Sequence, residues 1–194
     1  MKSIDRLVAE HDIIERGLSV LEKVVAQIES GQSVSDEFSE WAPKFFRQFA
    51  DQCHHAKEED LLFPLLKERG IPEEGGPIGV MLQEHVLGRD CVRRMREASE
   101  AAEFDGPAFA AAAKEFIPLL RQHIDKENNI LYKMAQNVLS EADDADLTDK
   151  FFKVEFRFHI LRVLIGFDRC LVKRFLGPGD GSVATPVLRR AAFL

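Results

Sequence analysis

The residues of this chain best equipped for chemistry are its histidines and the carboxylates spaced one helical turn from them. His54 to Leu66 reads HHAKEEDLLFPLL, with His54 four residues before Glu58 and His55 four before Glu59. On a helix, residues four apart lie on one face and their side chains converge, so His-x-x-x-Glu is a two-pronged clamp for a cation. The same spacing on a solvated helix is an ordinary i,i+4 pair, and a single copy carries little weight. Read alone, the stretch offers two equal clamps.

An internal repeat separates them. HHAKEEDLLF from His54 aligns without gaps over HIDKENNILY from His123, so that His54 falls on His123, Lys57 on Lys126, Glu58 on Glu127 and Phe63 on Tyr132. His55 falls on Ile124 and Glu59 on Asn128, so the copy keeps only the first clamp. A second pair of segments matches in the same way, LVAEH ending at His11 and MLQEH ending at His85. The chain therefore reads as two similar helical hairpins, each with an isolated histidine on its first helix and an H-x-x-K-E clamp on its second. Packed together, they place His11, His54, His85, His123, Glu58 and Glu127 in one core. Imidazoles and carboxylates in that ratio suit two ions of iron, copper, nickel or zinc better than magnesium or calcium.

EH at 10 and 11, HHAKEEDLLFP at 54 to 64, EH at 84 and 85 and HIDKE at 123 to 127 resemble the hemerythrin-like, or HHE cation-binding, domain family over roughly residues 3 to 140. The resemblance implies an all-α, up-down antiparallel four-helix bundle holding a non-haem di-iron centre, two iron ions bridged by the carboxylates and an oxo or hydroxo group. Carried over position by position, it makes His11, His54, Glu58, His85, His123 and Glu127 the ligands, and dioxygen, another diatomic molecule or peroxide the small ligand. Zinc or another divalent cation is the alternative occupant.

One position departs from the oxygen-carrying members, which resemble one another in a second histidine one turn after that of the third helix. Here that residue is Arg89, expected to pair with an acidic neighbour such as Glu15 or Glu59. Water, Glu15, His55, Glu59 or Tyr132 could stand in for the missing histidine. A less histidine-rich iron pair is harder and more reactive, which favours sensing or redox chemistry over simple oxygen carriage. Three functions follow: a module that binds or senses dioxygen, nitric oxide or iron; a di-iron redox enzyme acting on peroxide or nitric oxide, or an iron donor for repair; and a zinc-holding or metal-free structural bundle. Cluster-repair relatives usually carry a cysteine-bearing segment ahead of the bundle, whereas this sequence starts on the first helix, which weakens the repair version.

The elements that must position these residues are helices, since apolar residues recur at spacings of three and four and no stretch alternates with period two. The first is expected from Ser3, as N-cap, to Ile28, and the second from about Ser35 to Gly70, kinked at Pro43 and Pro64. The third is expected from Pro77 to about Ala102, and the fourth from the DGP at 105 to 107 to about Leu139. A fifth, from about Leu147 to Leu176, has phenylalanines around much of its circumference and is expected to be buried on more than one side, capping the bundle or forming a homodimer interface. The organisation is thus a di-metal bundle over 1–142, an additional C-terminal helix over 143–176 and a flexible tail over 177–194. His159, on the fifth helix, reads as a core residue, as do Trp41 and the Phe45, Phe46 and Phe49 cluster. Glu10 and Glu84 precede ligands and should point away from their own helix's site.

Across 194 residues the balance of 26 basic and 33 acidic side chains gives a net charge of -7, which leaves no broad basic surface for nucleic acid. Cys53, Cys91 and Cys170 are widely spaced and odd in number, as in a reduced cytoplasmic protein. The N-terminus lacks the apolar run of a signal peptide, and the greasiest segment, 158–167, is too short to span a membrane. No glycine-rich nucleotide fingerprint is present.

Overall fold

The computed structural model describes residues 1–158. Among them the regular elements are five helices: α1, Lys2–Glu29; α2, 36–68; α3, Pro77–Ser99; α4, 106–138; and α5, Glu141–Phe158. α1 packs on α2 and α4, α3 packs on α2 and α4, and α5 lies against α1 and α2. No helix among the described residues is long and apolar enough to cross a membrane.

Local chemistry sets the helix starts. Pro77 occupies the first turn of α3, where its missing N–H costs nothing. Asp105 caps α4 by accepting the Ala108 N–H at 2.9 Å. α5 begins at Glu141, ahead of Leu147 where apolar periodicity starts, because Ser140 and Asp143 cap one another: Ser140 N–H donates to Asp143 and Asp143 N–H to the Ser140 hydroxyl. Ser3 is not the N-cap of α1. It lies inside the first turn, and the Asp144 carboxylate of α5 accepts from the Lys2 and Ser3 amides and the Ser3 hydroxyl, closing the exposed donors of that helix end from outside.

Neither Pro43 nor Pro64 breaks α2. The helix widens instead into π turns over Phe46–His55 and Glu58–Leu62, where the Phe63 N–H reaches five residues back to the Glu58 carbonyl. α4 widens at the equivalent position, Glu127–Leu131, with the Tyr132 N–H on the Glu127 carbonyl. α4 also runs through Pro118, which the periodicity conceals. Since no proline lies near Glu127, the widened turn follows the H-x-x-K-E motif itself, and π turns of this kind concentrate at functional sites.

Gly17 lets α1 and α2 approach, because a Cβ there would stand 2.5 Å from the Phe45 ring. Phe45, Phe46 and Phe49 are buried while Trp41 is half-buried. A second apolar cluster joins Ile4, Leu7, Leu62, Phe63, Met81 and Tyr132 to Leu147 and Phe151 of α5. On α5, Phe151 is buried but Phe152 and Phe156 are 59% and 77% exposed, so its described part is buried on one side and not on several. Leu161 to Leu176, His159 and the 177–194 tail lie outside the described residues.

Candidate metal centre

His11 comes from α1, His54 and Glu58 from α2, His85 from α3, and His123 and Glu127 from α4, and all six are at most 1% exposed. Their donor atoms fall into two overlapping groups, His11, His54, Glu58 and Glu127 in one and His55, Glu58, His85 and His123 in the other, each with its ligand atoms within 4.8 Å of one another. Glu58 belongs to both. Glu15 does not join them; it lies on the surface, 3.3 Å from Arg121.

Each of the four helix-matched histidines is fixed by a partner on its Nδ1. That nitrogen of His54 donates to Glu10 at 2.8 Å, of His123 to Glu84 at 3.0 Å, of His85 to Glu59 at 2.5 Å and of His11 to the Asn128 amide oxygen at 2.9 Å. These acceptors have no proton to give, so Nδ1 carries a hydrogen and Nε2 is the nitrogen turned inward. The pattern follows the repeat: Glu10 and Glu84 match, and Glu59 and Asn128 match. Glu10 and Glu84 do diverge from their own histidines, as adjacent helical residues must, and by doing so reach the histidine of the neighbouring helix. The doubled E-H dipeptide was the signal for this, legible only once the helices are side by side. Lys57 and Lys126, matched in the motif, hold Glu10 and Glu84 in turn.

At the middle of the site the polar atoms lack hydrogen-bond partners. Buried and unpaired are His11 Nε2, His54 Nε2, both nitrogens of His55, Glu58 Oε2 and both carboxylate oxygens of Glu127. His11 Nε2 stands 3.2 Å and His123 Nε2 3.3 Å from Glu127 Oε2, and His85 Nε2 faces His123 Nε2 at 3.1 Å. Each orphaned buried group costs about 1–3 kcal/mol, so so many at one point make sense only with a cation to coordinate them. The residues present fit bound metal on this ground.

Protonation preferences reflect the crowding. Burial raises the Glu58 carboxyl well above the usual range, helped by the Glu127 charge, although Tyr132 donates a 2.5 Å hydrogen bond to Glu58 Oε1. Glu127 is held well below its usual value, burial being outweighed by His123 and His11. Burial and the neighbouring His11 push His54 down to about 4. His123 resists burial and rises to about 9 because Glu127 and Glu84 face it. Glu10, although buried, falls to about 2 beside Lys57 and His54.

Arg89 lies away from the donors, with its guanidinium on Asp51 at 2.7 Å and Glu59 at 2.6 Å, so of the two expected carboxylates it takes Glu59 and adds one, Asp51, that no motif marks. Cys53 is buried, its thiol pushed up to about 12 by desolvation, and takes no part in the centre.

The family description that matches this chain is the hemerythrin HHE cation-binding domain, over residues 2–135. An uncharacterized protein of Mycobacterium tuberculosis is 26% identical over 156 residues, 78% of this chain and 60% of the relative. The iron-sulfur cluster repair protein YtfE of Yersinia pestis is 35% identical over 88 residues, 42% of this chain and 40% of the relative. The chain thus spans 60% or less of the length of these relatives. No solved structure matches it.

Proposed function

The chain belongs to the hemerythrin HHE cation-binding domain family, and on that premise we propose that it holds two iron ions within an up-down antiparallel four-helix bundle and binds or senses dioxygen, nitric oxide or iron itself. The observation that carries the reading is the convergence of inward-facing imidazole nitrogens and carboxylate oxygens that lack any other partner. His11, His54, His85 and His123 supply imidazole nitrogen donors, held in place by Asn128, Glu10, Glu59 and Glu84. Glu58 and Glu127 supply the negative charge, and Glu58, common to both groups, is the carboxylate best placed to serve both ions. Bound iron supplies electron exchange with a small ligand. The chain's own part is to keep the pocket dry and its donors oriented, and Tyr132 adds a hydroxyl that steadies Glu58.

A second reading, a redox enzyme acting on peroxide or nitric oxide or an iron donor in repair, draws on the likeness to YtfE, an iron-sulfur cluster repair protein. Reconstitution with ferrous iron under nitrogen, followed by exposure to oxygen and to nitric oxide, tests the first reading. A charge-transfer band that depends on the gas supports it, and an iron-loaded protein whose spectrum ignores both gases rejects it. Peroxide consumption by wild type that is lost in His123→Ala would favour the enzyme, and equal rates would reject it.

A further inference from the structure

His55 is the one imidazole at the centre that the repeat does not supply. Its counterpart Ile124 fills the equivalent place with hydrocarbon and is 5% exposed. Hydrocarbon therefore satisfies this position in one hairpin, while the other buries a ring with two polar atoms.

Burying that ring needs a reason. His55 is 6% exposed and stacks on His85 with centroids 3.8 Å apart and planes 15° from parallel. Neither ring nitrogen makes a hydrogen bond. Asp51 Oδ1 stands 3.6 Å from Nδ1, beyond hydrogen-bond reach, and already receives the Arg89 guanidinium at 2.7 Å. Arg89 also occupies Glu59, so it draws both neighbouring carboxylates away from the ring. A phenylalanine would stack as well without leaving a buried N–H unpaired. Meanwhile one His55 nitrogen lies within 4.8 Å of ligand atoms on Glu58, His85 and His123. Helix geometry allows this: Phe46–His55 is wound as a π helix, in which successive residues fan out by less than the 100° of an α-helix, so His54 and His55 both reach the core.

We propose that His55 is a metal ligand, completing with Glu58, His85 and His123 the site of one ion while the adjacent His54 serves the other with His11, Glu58 and Glu127. The inference rests on the two-ion reading above. It makes the centre unequal: three imidazoles and one carboxylate on one side, two and two on the other. The imidazole-rich side prefers the later, softer divalent metals, so such a metal fills the two sites in distinct steps. Arg89 is then the residue that frees His55 by holding Asp51 and Glu59.

Cobalt(II) titration of the metal-free full-length chain, read by its visible absorption and by elemental content, tests the assignment. Wild type is expected to take up about two ions in two steps with different spectra. His55→Phe, which keeps the stacking, and His55→Ile, which copies the other hairpin, are each expected to weaken one step at least about tenfold and leave the other spectrum intact. His54→Phe should remove the other step. Free imidazole should restore the lost step in His55→Ala, a rescue that a packing role would not give. Two unchanged steps in folded His55→Phe and His55→Ile, or no rescue, would overturn the assignment. Uptake of fewer than about two cobalt ions by wild type would instead overturn the two-ion reading on which it depends.

Discussion

In the first hairpin Lys57 is fully buried, joined to Glu10 and, at 2.9 Å, to Glu155 of α5, which Arg6 also holds. In the second, its counterpart Lys126 reaches Glu84 and keeps its side chain 33% exposed. The motifs are the same and the surroundings differ, because α5 lies against α1 and α2 and seals that wall. The inner residues diverge too: where α4 has Tyr132 donating to Glu58, α2 has Phe63, which has no hydroxyl to offer Glu127. The two clamp histidines part as well: burial and His11 take His54 down to about 4, while Glu127 and Glu84 outweigh burial and take its counterpart His123 up to about 9. The comparison teaches that a duplicated clamp preserves donor identity and spacing, whereas the burial and partners of the lysine behind each clamp depend on what packs against it from outside the repeat.

The largest break in the symmetry is expected at the clamp carboxylates. Glu58 serves both donor groups and Glu127 one, so Glu58→Ala should abolish uptake of both ions and Glu127→Ala chiefly of one, as elemental analysis of the folded variants reads. Next come the two lysines. Lys57→Met leaves Glu10 buried with only His54 as partner and should lower stability in urea by about 3 kcal/mol. Lys126→Met, on a part-exposed pair, should cost about 1 kcal/mol or less. Equal losses would mean that α5 does not distinguish the hairpins.

pH separates the halves further. His54 is kept neutral in the fold, so the unfolded chain takes up protons first as pH falls from about 6.5, and its share of stability is lost down to about 4. His123 binds its proton more tightly folded than unfolded, so its share is present below about 6.5 and lost as pH rises to about 9. In urea midpoints of the metal-free protein, His54→Asn should flatten the acid arm and His123→Asn the alkaline one. A variant that flattens both arms would show the two titrations to be one. Tyr132→Phe makes the two hairpins alike at that position and should likewise cost only about 1 kcal/mol, while leaving metal content unchanged.

The convergence of the clamp residues was legible in the sequence because helical spacing is local: His54 and Glu58, and His123 and Glu127, need only one turn to meet, and the second copy singled them out, although it gave no sign of His55, which joins the second donor group. All-helical character and the proline and aspartate starts of α3 and α4 were legible for the same reason. What joins distant segments was not. Glu10 reaches His54 and Glu155 reaches Lys57 through packing, which no spacing rule encodes. Two prolines suggested kinks in α2, whereas the helix continues past both; its widened turn at Glu58–Leu62 recurs in α4 at Glu127–Leu131 without a nearby proline, which ties it to the H-x-x-K-E motif. The Ser140 cap was hidden because the following turn is acidic and lacks the apolar pattern that marks a helix.

Metal content tests the central claim most directly. The full-length chain, purified without a metal-affinity tag from cells supplied with iron, is expected to carry about two iron ions per molecule by elemental analysis, and the Glu58→Ala variant almost none. A folded wild-type protein holding no stoichiometric metal, or holding zinc in the same amount with Glu58→Ala unchanged, would contradict it.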